Sequence, residues 1–300
     1  LENITIALNS LGQMLSEDHL QKWLQPYSTL IERQSSQKTI GVVMAGNIPL
    51  VGFHDFLCVA ISGNKILVKL SSNDLRLLPA IAELLILHND FWRDQFFFTT
   101  GRLEKFDAII ATGNNKTASF FEYYFEKFPH IIRHNRNSAA IIYGNETSET
   151  LEKIATDIML YFGMGCRSIT KIYVPANYHF TALITALDRY REVANHHKYR
   201  NNYDYNRTIF LLNQISFIDA GYLLLTENQA LSSRIAVLHY TYYQQIEDVI
   251  SEINALSSDV QCVVSDIPLD IGSVQPGEAQ RPFLWDYPDK VDTMKFLLEY

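Results

Sequence analysis

Hydrophobic positions recur at three- and four-residue steps through the first thirty residues: Leu8, Leu11 and Leu15, then Leu20, Trp23 and Leu24. That spacing lines one face of a helix, so amphipathic helices are predicted, with Glu17 and Asp18 near a turn. The period then changes. Residues 39–45 (TIGVVMA) form a continuous apolar run that stops at Gly46, the pattern of a strand covered on both faces in a parallel sheet. The same reading predicts a helix over 53–62, a strand over 65–70, a helix over 75–87, and strands over 95–99 and 106–111. A helix over 118–128 and a strand over 138–143 complete the first half. Strand alternating with helix is the signature of a doubly wound parallel sheet.

The second half repeats the alternation. A helix is predicted over 150–162, a strand over 170–174 and a helix over 180–193. Residues 195–207 (NHHKYRNNYDYNR) have the composition of a loop. Strands are predicted over 208–212, 235–239 and 260–265, with a helix over 244–256, an irregular tail over 272–289 and a helix over 291–300. No internal repeat or low-complexity linker is present. The domain break is placed near Gly144. That gives a domain over 1–143 that includes the amino-terminal helices, and another over 144–300 whose last segment is a candidate to return to the first.

Composition narrows the class. Hydrophobic residues make up 47% and charged residues 19%, a core-building balance. With 33 acidic and 25 basic side chains the net charge is −8, which argues against nucleic acid or an anionic membrane as a partner of the whole chain. No apolar run reaches the ~18 residues of a membrane span, and no secretory signal is read at the amino end. Three sparse cysteines, Cys58, Cys166 and Cys262, suit a reducing compartment, and a cytoplasmic location is expected. They are too widely separated for a local metal knuckle, and no metal is expected. Seventeen tyrosines and seventeen phenylalanines read first as core, with an acyl channel as the other use.

Candidate chemistry concentrates in a few stretches. Cys166 lies in FGMGCRS, where Gly163 and Gly165 let the backbone approach a ligand and Arg167 is an adjacent cation. The plain alternative is a buried structural cysteine, which is the expectation for Cys58 and Cys262. Asn47 follows the first strand in GNIPL, where its amide suits an oxyanion or simply caps a helix. Lys69 ends the strand KILVKL and suits a phosphate or ribose. Thr112, Gly113 and Asn114 precede a helix whose amino end suits a pyrophosphate. His196 and His197 lack partners at ligand spacing and read as a loop.

Taken in order, GNIPL, GNKILVKLSS, ATGNN and GMGCRS resemble the aldehyde dehydrogenase superfamily. Its corresponding stretches are a Trp-Asn-Pro turn, a Gly-Asn-x-x-x-x-Lys-Pro-Ser-Glu strand, a Thr-Gly-Ser turn and a Gly-x-x-Cys loop. The longer stretches GNIPLVGFHDFLCVAISGNKILVKLSS, RNSAAIIYGNE, YFGMGCRS, NHHKYRNNYDYN and PFLWDYPDKVDTMKFL are similar to its acyl-CoA reductase branch. That is the family of the bacterial luminescence fatty acid reductase subunit. The resemblance runs from about residue 40 to the carboxyl end.

The resemblance implies an α/β, aldehyde-dehydrogenase-like fold, with a Rossmann-like cofactor domain followed by an α/β catalytic domain. It implies that Cys166 is the nucleophile, with Asn47 and the Cys166 amide as oxyanion donors. Lys69, Ser71 and Ser72 would hold the adenosine ribose or its phosphate, and Thr112, Gly113 and Asn114 the pyrophosphate. The nicotinamide-ribose glutamate falls at Glu227, in a stretch that does not keep the family's motif. The substrate implied is an acyl-CoA, so coenzyme A enters with it. A protein that donates the acyl group or accepts the aldehyde, and self-association, are the partners it leaves open. Departures sharpen this picture. The glutamate that activates water in hydrolytic relatives aligns with Arg133 or His134, which favours acyl reduction over aldehyde oxidation. Ser72 stands where NAD-preferring relatives carry a glutamate. A serine can hydrogen-bond a 2′-phosphate that a carboxylate would repel, which favours NADPH over NADH. An acyl-phosphate reductase and a non-catalytic nucleotide-binding protein of the same fold remain as alternatives.

Overall fold

The apolar runs pair in parallel, but in two separate sheets. The computed structural model describes residues 2–33 and 36–300. The chain divides into one unit formed by Leu1–Asn135 with Pro282–Tyr300 and another formed by Arg136–Arg281.

The first unit opens with α1 (Glu2–Met14), α2 (Glu17–Leu24) and α3 (Ser28–Arg33). There follow β1 (Thr39–Val43), α4 (Phe53–Ile61), β2 (Lys65–Lys69), α5 (Leu77–His88), β3 (Phe96–Thr99), β4 (Ala108–Thr112), α6 (Asn115–Phe125) and β5 (His130–Arg133). The five strands are all parallel, in the order β3-β2-β1-β4-β5. After β3 the winding changes direction, so β1 and β4 flank the switch point. At that crevice the carboxyl ends of two adjacent strands send their loops apart, leaving room for a ligand. Apolar side chains of the central strands, Ile40, Val42, Ile66, Val68 and Ile110, pack with Phe53, Phe56 and Trp23.

The second unit contains β6 (Asn137–Ile141), α7 (Ser148–Met159), β7 (Ile169–Pro175), α8 (Thr181–Leu187), α9 (His197–Leu212), β8 (Ile218–Asp219), β9 (Leu224–Glu227), β10 (Val237–Tyr243), α10 (Ile246–Ala255) and β11 (Val260–Ser265). The sheet order is β11-β6-β7-β10-β9-β8, parallel except for β8. The chain then returns to the first unit, where α11 (Thr293–Glu299) contributes buried Met294 and Leu297 to its core. A relay ties this tail to the amino-terminal helices: Trp23 Nε1 donates to Tyr287 Oη (2.7 Å), Tyr287 to Tyr27 Oη (3.0 Å), and Tyr27 to Asp292 (2.8 Å).

Several sequence expectations are corrected. Residues 195–207 are not a loop and 208–212 are not a strand: one sixteen-residue helix, α9, covers most of both. Its buried residues are Tyr199, Tyr203, Asn206 and Phe210, at helical spacing. Three of those four carry polar groups, which hid the stripe. Asn206 Nδ2 bonds to Ile235 O at 2.9 Å, and Tyr203 donates to Asp219, so neither is buried unsatisfied. The short strands β5, β8 and β9 lack a pattern long enough to read. The helix predicted to Phe162 stops at Met159, because Tyr161 and Phe162 adopt positive φ (55° and 60°). Residues 137–141, placed in the first domain by the break at Gly144, form β6 in the second unit. There β6 pairs with β7 and β11, and pairing, which composition does not reveal, fixes the boundary.

Candidate functional site

In the first unit, the residues singled out from sequence gather at the carboxyl edge of the sheet. Asn47 is exposed in the loop after β1. It does not cap α4, whose N-cap is Gly52, so that alternative is removed. Lys69 ends β2 in register with Val43, and its carbonyl accepts the Met44 amide at 3.1 Å. The loops after β1 and β2 are packed tightly. A Cβ on Gly46 would stand 2.6 Å from Ser71 Cβ, which explains the glycine, and the Leu50 amide bonds to Asp74 at 3.3 Å. Ser71 Oγ accepts the Asn73 amide (3.3 Å), while Ser72 is exposed.

Across the switch point, Thr112 ends β4 and Asn114 caps α6. Its Oδ1 accepts the Thr117 amide at 2.9 Å and the Thr117 hydroxyl at 3.1 Å. A Cβ on Gly113 would lie 3.0 Å from Thr117 Cβ, so glycine lets the helix start close against the strand. The helix amino end therefore meets the crevice with its first amides forward, a setting that attracts phosphate. Around these loops stand glycine backbone, the Asn47 amide, Lys69 and the hydroxyls of Ser71, Ser72 and Thr112. This donor set fits the phosphates and ribose of a dinucleotide.

Arg133 and His134, aligned with the missing glutamate, part company. Arg133 is 3% exposed and fully engaged: it holds Asp55 through two bonds (2.6 and 3.0 Å), Thr293 Oγ1 (2.8 Å) and Pro288 O (2.7 Å). It is a structural clamp. His134 is exposed at the end of β5, 3.2 Å from Glu122.

In the second unit Cys166 is exposed, between α7 and β7. Tyr161, Phe162 and Gly163 run consecutively in the left-handed region (φ 55°, 60° and 68°), a conformation costly for two side-chain-bearing residues. Burial of Tyr161 and ring contacts of Phe162 with His196 (4.8 Å) and Tyr199 (6.1 Å) hold it. Cys166 then sits in a turn closed by Ser168 N–H to Gly165 O (3.0 Å), with Ser168 Oγ accepting the Gly165 amide (3.1 Å). Ser138 on β6 donates to Cys166 O at 3.0 Å. The other two thiols differ. Cys58 is fully buried, and burial, with Asp55 adding to it, pushes its thiol well up, which leaves it unreactive. Cys262 is half-buried on β11, 3.1 Å from Ser138 Oγ.

Glu227 ends β9, level with Tyr240 and so with Ile172 on β7, about 10 Å along the strands from the start of β7. From there the chain doubles back. Thr241 binds Asn228 O (3.1 Å), Lys171 binds Gln229 O (2.7 Å), His239 Nδ1 meets Ala230 O (2.8 Å) and Thr170 binds Leu231 O (2.8 Å). Residues 229–231 therefore lie nearer the cysteine end of this sheet than Glu227 does. Sequence reasoning missed this segment and its anchor, fully buried Lys171 paired with Glu252 (2.9 Å). A lysine inside TKIYV carried no signal, because its partner lies 81 residues away. Among the described residues, no group of three or more histidine, cysteine, aspartate and glutamate side chains is placed to hold a metal, and no helix is long and apolar enough to cross a membrane.

Comparisons with known proteins bear on the family and the fold. The model of the acyl-CoA reductase (LuxC) family matches residues 8–199. Among solved structures, PutA of Anabaena variabilis, assigned as an aldehyde dehydrogenase, superposes with a TM-score of 0.63 at 15% identity, covering 88% of this chain and 68% of that one. A Mycobacterium tuberculosis aldehyde dehydrogenase complexed with NAD+ gives 0.56 at 14% identity, covering 76% and 56%. The Pseudomonas aeruginosa aldehyde dehydrogenase KauB gives 0.59 at 12%, also covering 76% and 56%. At these identities the likeness establishes the fold: aldehyde-dehydrogenase-like α/β. No curated protein matches the sequence.

Proposed function

The chain belongs to the acyl-CoA reductase (LuxC) family, and from that premise we propose that it reduces an acyl-CoA thioester to an aldehyde through an acyl-cysteine on Cys166. The observation that carries this is the setting of Cys166, the one exposed cysteine of the three, on a turn built from left-handed backbone and buried serines. A thiol presented this way reaches an incoming thioester, whereas Cys58 cannot.

The Cys166 thiolate attacks the thioester carbonyl, the bond to the coenzyme A sulfur breaks, and coenzyme A leaves as its thiol after taking a proton. The Cys166 amide and the Asn47 side chain are the proposed donors to the oxyanion. Lys69, Ser71 and Ser72 are proposed to hold the adenosine ribose and its 2′-phosphate, and Thr112, Gly113 and Asn114 the pyrophosphate, with Glu227 proposed for the nicotinamide ribose. When bound, NADPH supplies the hydride that reduces the acyl group. The resulting thiohemiacetal on Cys166 collapses, releasing aldehyde and restoring the thiol. Neither Arg133, locked to Asp55, nor His134 brings a carboxylate to activate water. An acyl-cysteine left unhydrolysed persists for reduction.

The test omits the reductant. A radiolabelled acyl-CoA series is mixed with the protein, and covalent label is counted on wild type and Cys166→Ala. Label on wild type, released coenzyme A and no label on the variant are expected. Absence of label at every chain length would sink the proposal.

A further inference from the structure

Asp157 lies in the last turn of α7 and is completely buried, an unusual place for a carboxyl. Its Oδ2 accepts the Gly277 amide at 2.7 Å. Gly277 is in the left-handed region (φ 89°), and the stem of Lys153 lies 3.2 Å from where a Cβ would be, so this approach is specific to glycine. The next residues lead to the cysteine turn. Ala279 O accepts Arg167 Nη1 at 3.3 Å, and Gln280 Nε2 donates to Ser168 Oγ at 3.2 Å. Ser168 Oγ is the acceptor of the Gly165 amide. Residues 277–280 thus form a strap, fixed at one end by Asp157 and at the other by Arg167 and Ser168, which directly follow Cys166.

We propose that Asp157 is a positioning residue for Cys166, setting its turn through the 277–280 strap according to whether the Asp157 carboxyl is ionised. The proposal rests on the reading of Cys166 as the nucleophile. Burial pushes the carboxyl up to about 7, against the pull of the Gly277 and Ala279 amides and of Arg281, with Glu278 adding to the push. Glu278 and Arg281 on the strap are the charged groups that act on it. Lys153 stands one turn back on α7 and its partner Glu149 two, and Tyr161, its hydroxyl raised by burial, follows. From β7 and α8 the neighbouring core side chains are apolar, Ile172, Leu183 and Leu187 among them. Below pH 7 the neutral carboxyl stays in its buried place under the closed strap. As pH rises towards 7 the carboxylate, costly to bury despite the Gly277 and Ala279 amides, favours exposure to water, and the strap loosens.

The probe is iodoacetamide, with alkylation of Cys166 followed by peptide mass spectrometry from pH 5.5 to 9, beside hydrogen exchange of the Gly277 amide. In wild type, Cys166 reactivity should show the thiol's own ionisation plus a second step near pH 7. Gly277 protection should fall with rising pH, by up to about tenfold per pH unit, and level off above pH 7. Asp157→Asn, which keeps the shape and an acceptor oxygen, should keep the thiol step, lose the second and leave Gly277 protection flat. Superimposable profiles for the two proteins would overturn the proposal, as would unchanging Gly277 protection in wild type between pH 6 and 8. That second measurement decides the matter even if the variant does not fold. Alkylation needs no acyl substrate, so a lost step in the variant alongside absent acyl label would remove the reductase reading and leave the strap intact.

Discussion

Ser72, exposed just beyond β2, is the residue to which we assign the choice of dinucleotide. A carboxylate there repels a 2′-phosphate and accepts a 2′-hydroxyl, and a serine does the reverse work. Wild type should therefore use NADPH better than NADH by kcat/KM, and Ser72→Glu should shift that ratio at least about tenfold towards NADH, on the order of 1.4 kcal/mol. A wild type that prefers NADH would refute the argument from this position. At the same scale, sequence separated Cys166 from Cys58 and Cys262 because glycines flank the first and apolar runs enclose the others, and the exposures follow that division. It gave no sign of Asp157. A carboxyl in TDIMLYFG reads as an ordinary helical residue until the strap 120 residues further on is seen to bond to it.

Elements whose pattern is purely apolar were legible, and those whose buried face is polar were not. The runs that became β1, β2, β4 and β7 stand within a residue or two of their predicted bounds. Such strands are buried on both faces and need no partner to be recognised. Helix α9 is the counterexample. Its inward tyrosines and Asn206 look like loop residues until Ile235 O and Asp219 are seen to receive their bonds. The stretch is thus a framework element, its polar residues pinning the chain on either side of β9. Asn206→Leu should cost about 1–3 kcal/mol, because Ile235 O is left buried and unsatisfied. The measurement is the far-ultraviolet circular dichroism transition in urea. The tryptophan fluorescence transition should not move, since Trp23, Trp92 and Trp285 all belong to the first unit. A neutral result would mean that Asn206 bears no structural load.

On the scale of the whole molecule, the first unit is completed by its distant tail. Arg133 joins Asp55 on α4 to Pro288 O and Thr293 from the carboxyl-terminal segment, all around one buried guanidinium. Removing one member of such a pair strands the other charge in the core. Arg133→Met should lower the stability of the first unit by about 3–5 kcal/mol, read as an earlier tryptophan fluorescence midpoint in urea. A shift equivalent to less than about 1 kcal/mol would show that the clamp is dispensable. The charge of −8 also acts at this scale: the proposed ligands, coenzyme A and NADPH, are polyanions, so the proposed donors Lys69 and the start of α6 would work against the field of the whole chain. By itself the sequence determined the alternation of strand and helix, the family likeness and the exposed cysteine on its glycine turn, because each is written in residues close together along the chain. Tertiary structure alone decided the switch point between β1 and β4, the burial of Arg133 away from any chemistry, the helix hidden in NHHKYRNNYDYN and the strap from Asp157. Each of these depends on pairings between residues far apart in sequence, whose energy comes from burial and hydrogen bonds that exist only once the chain has folded.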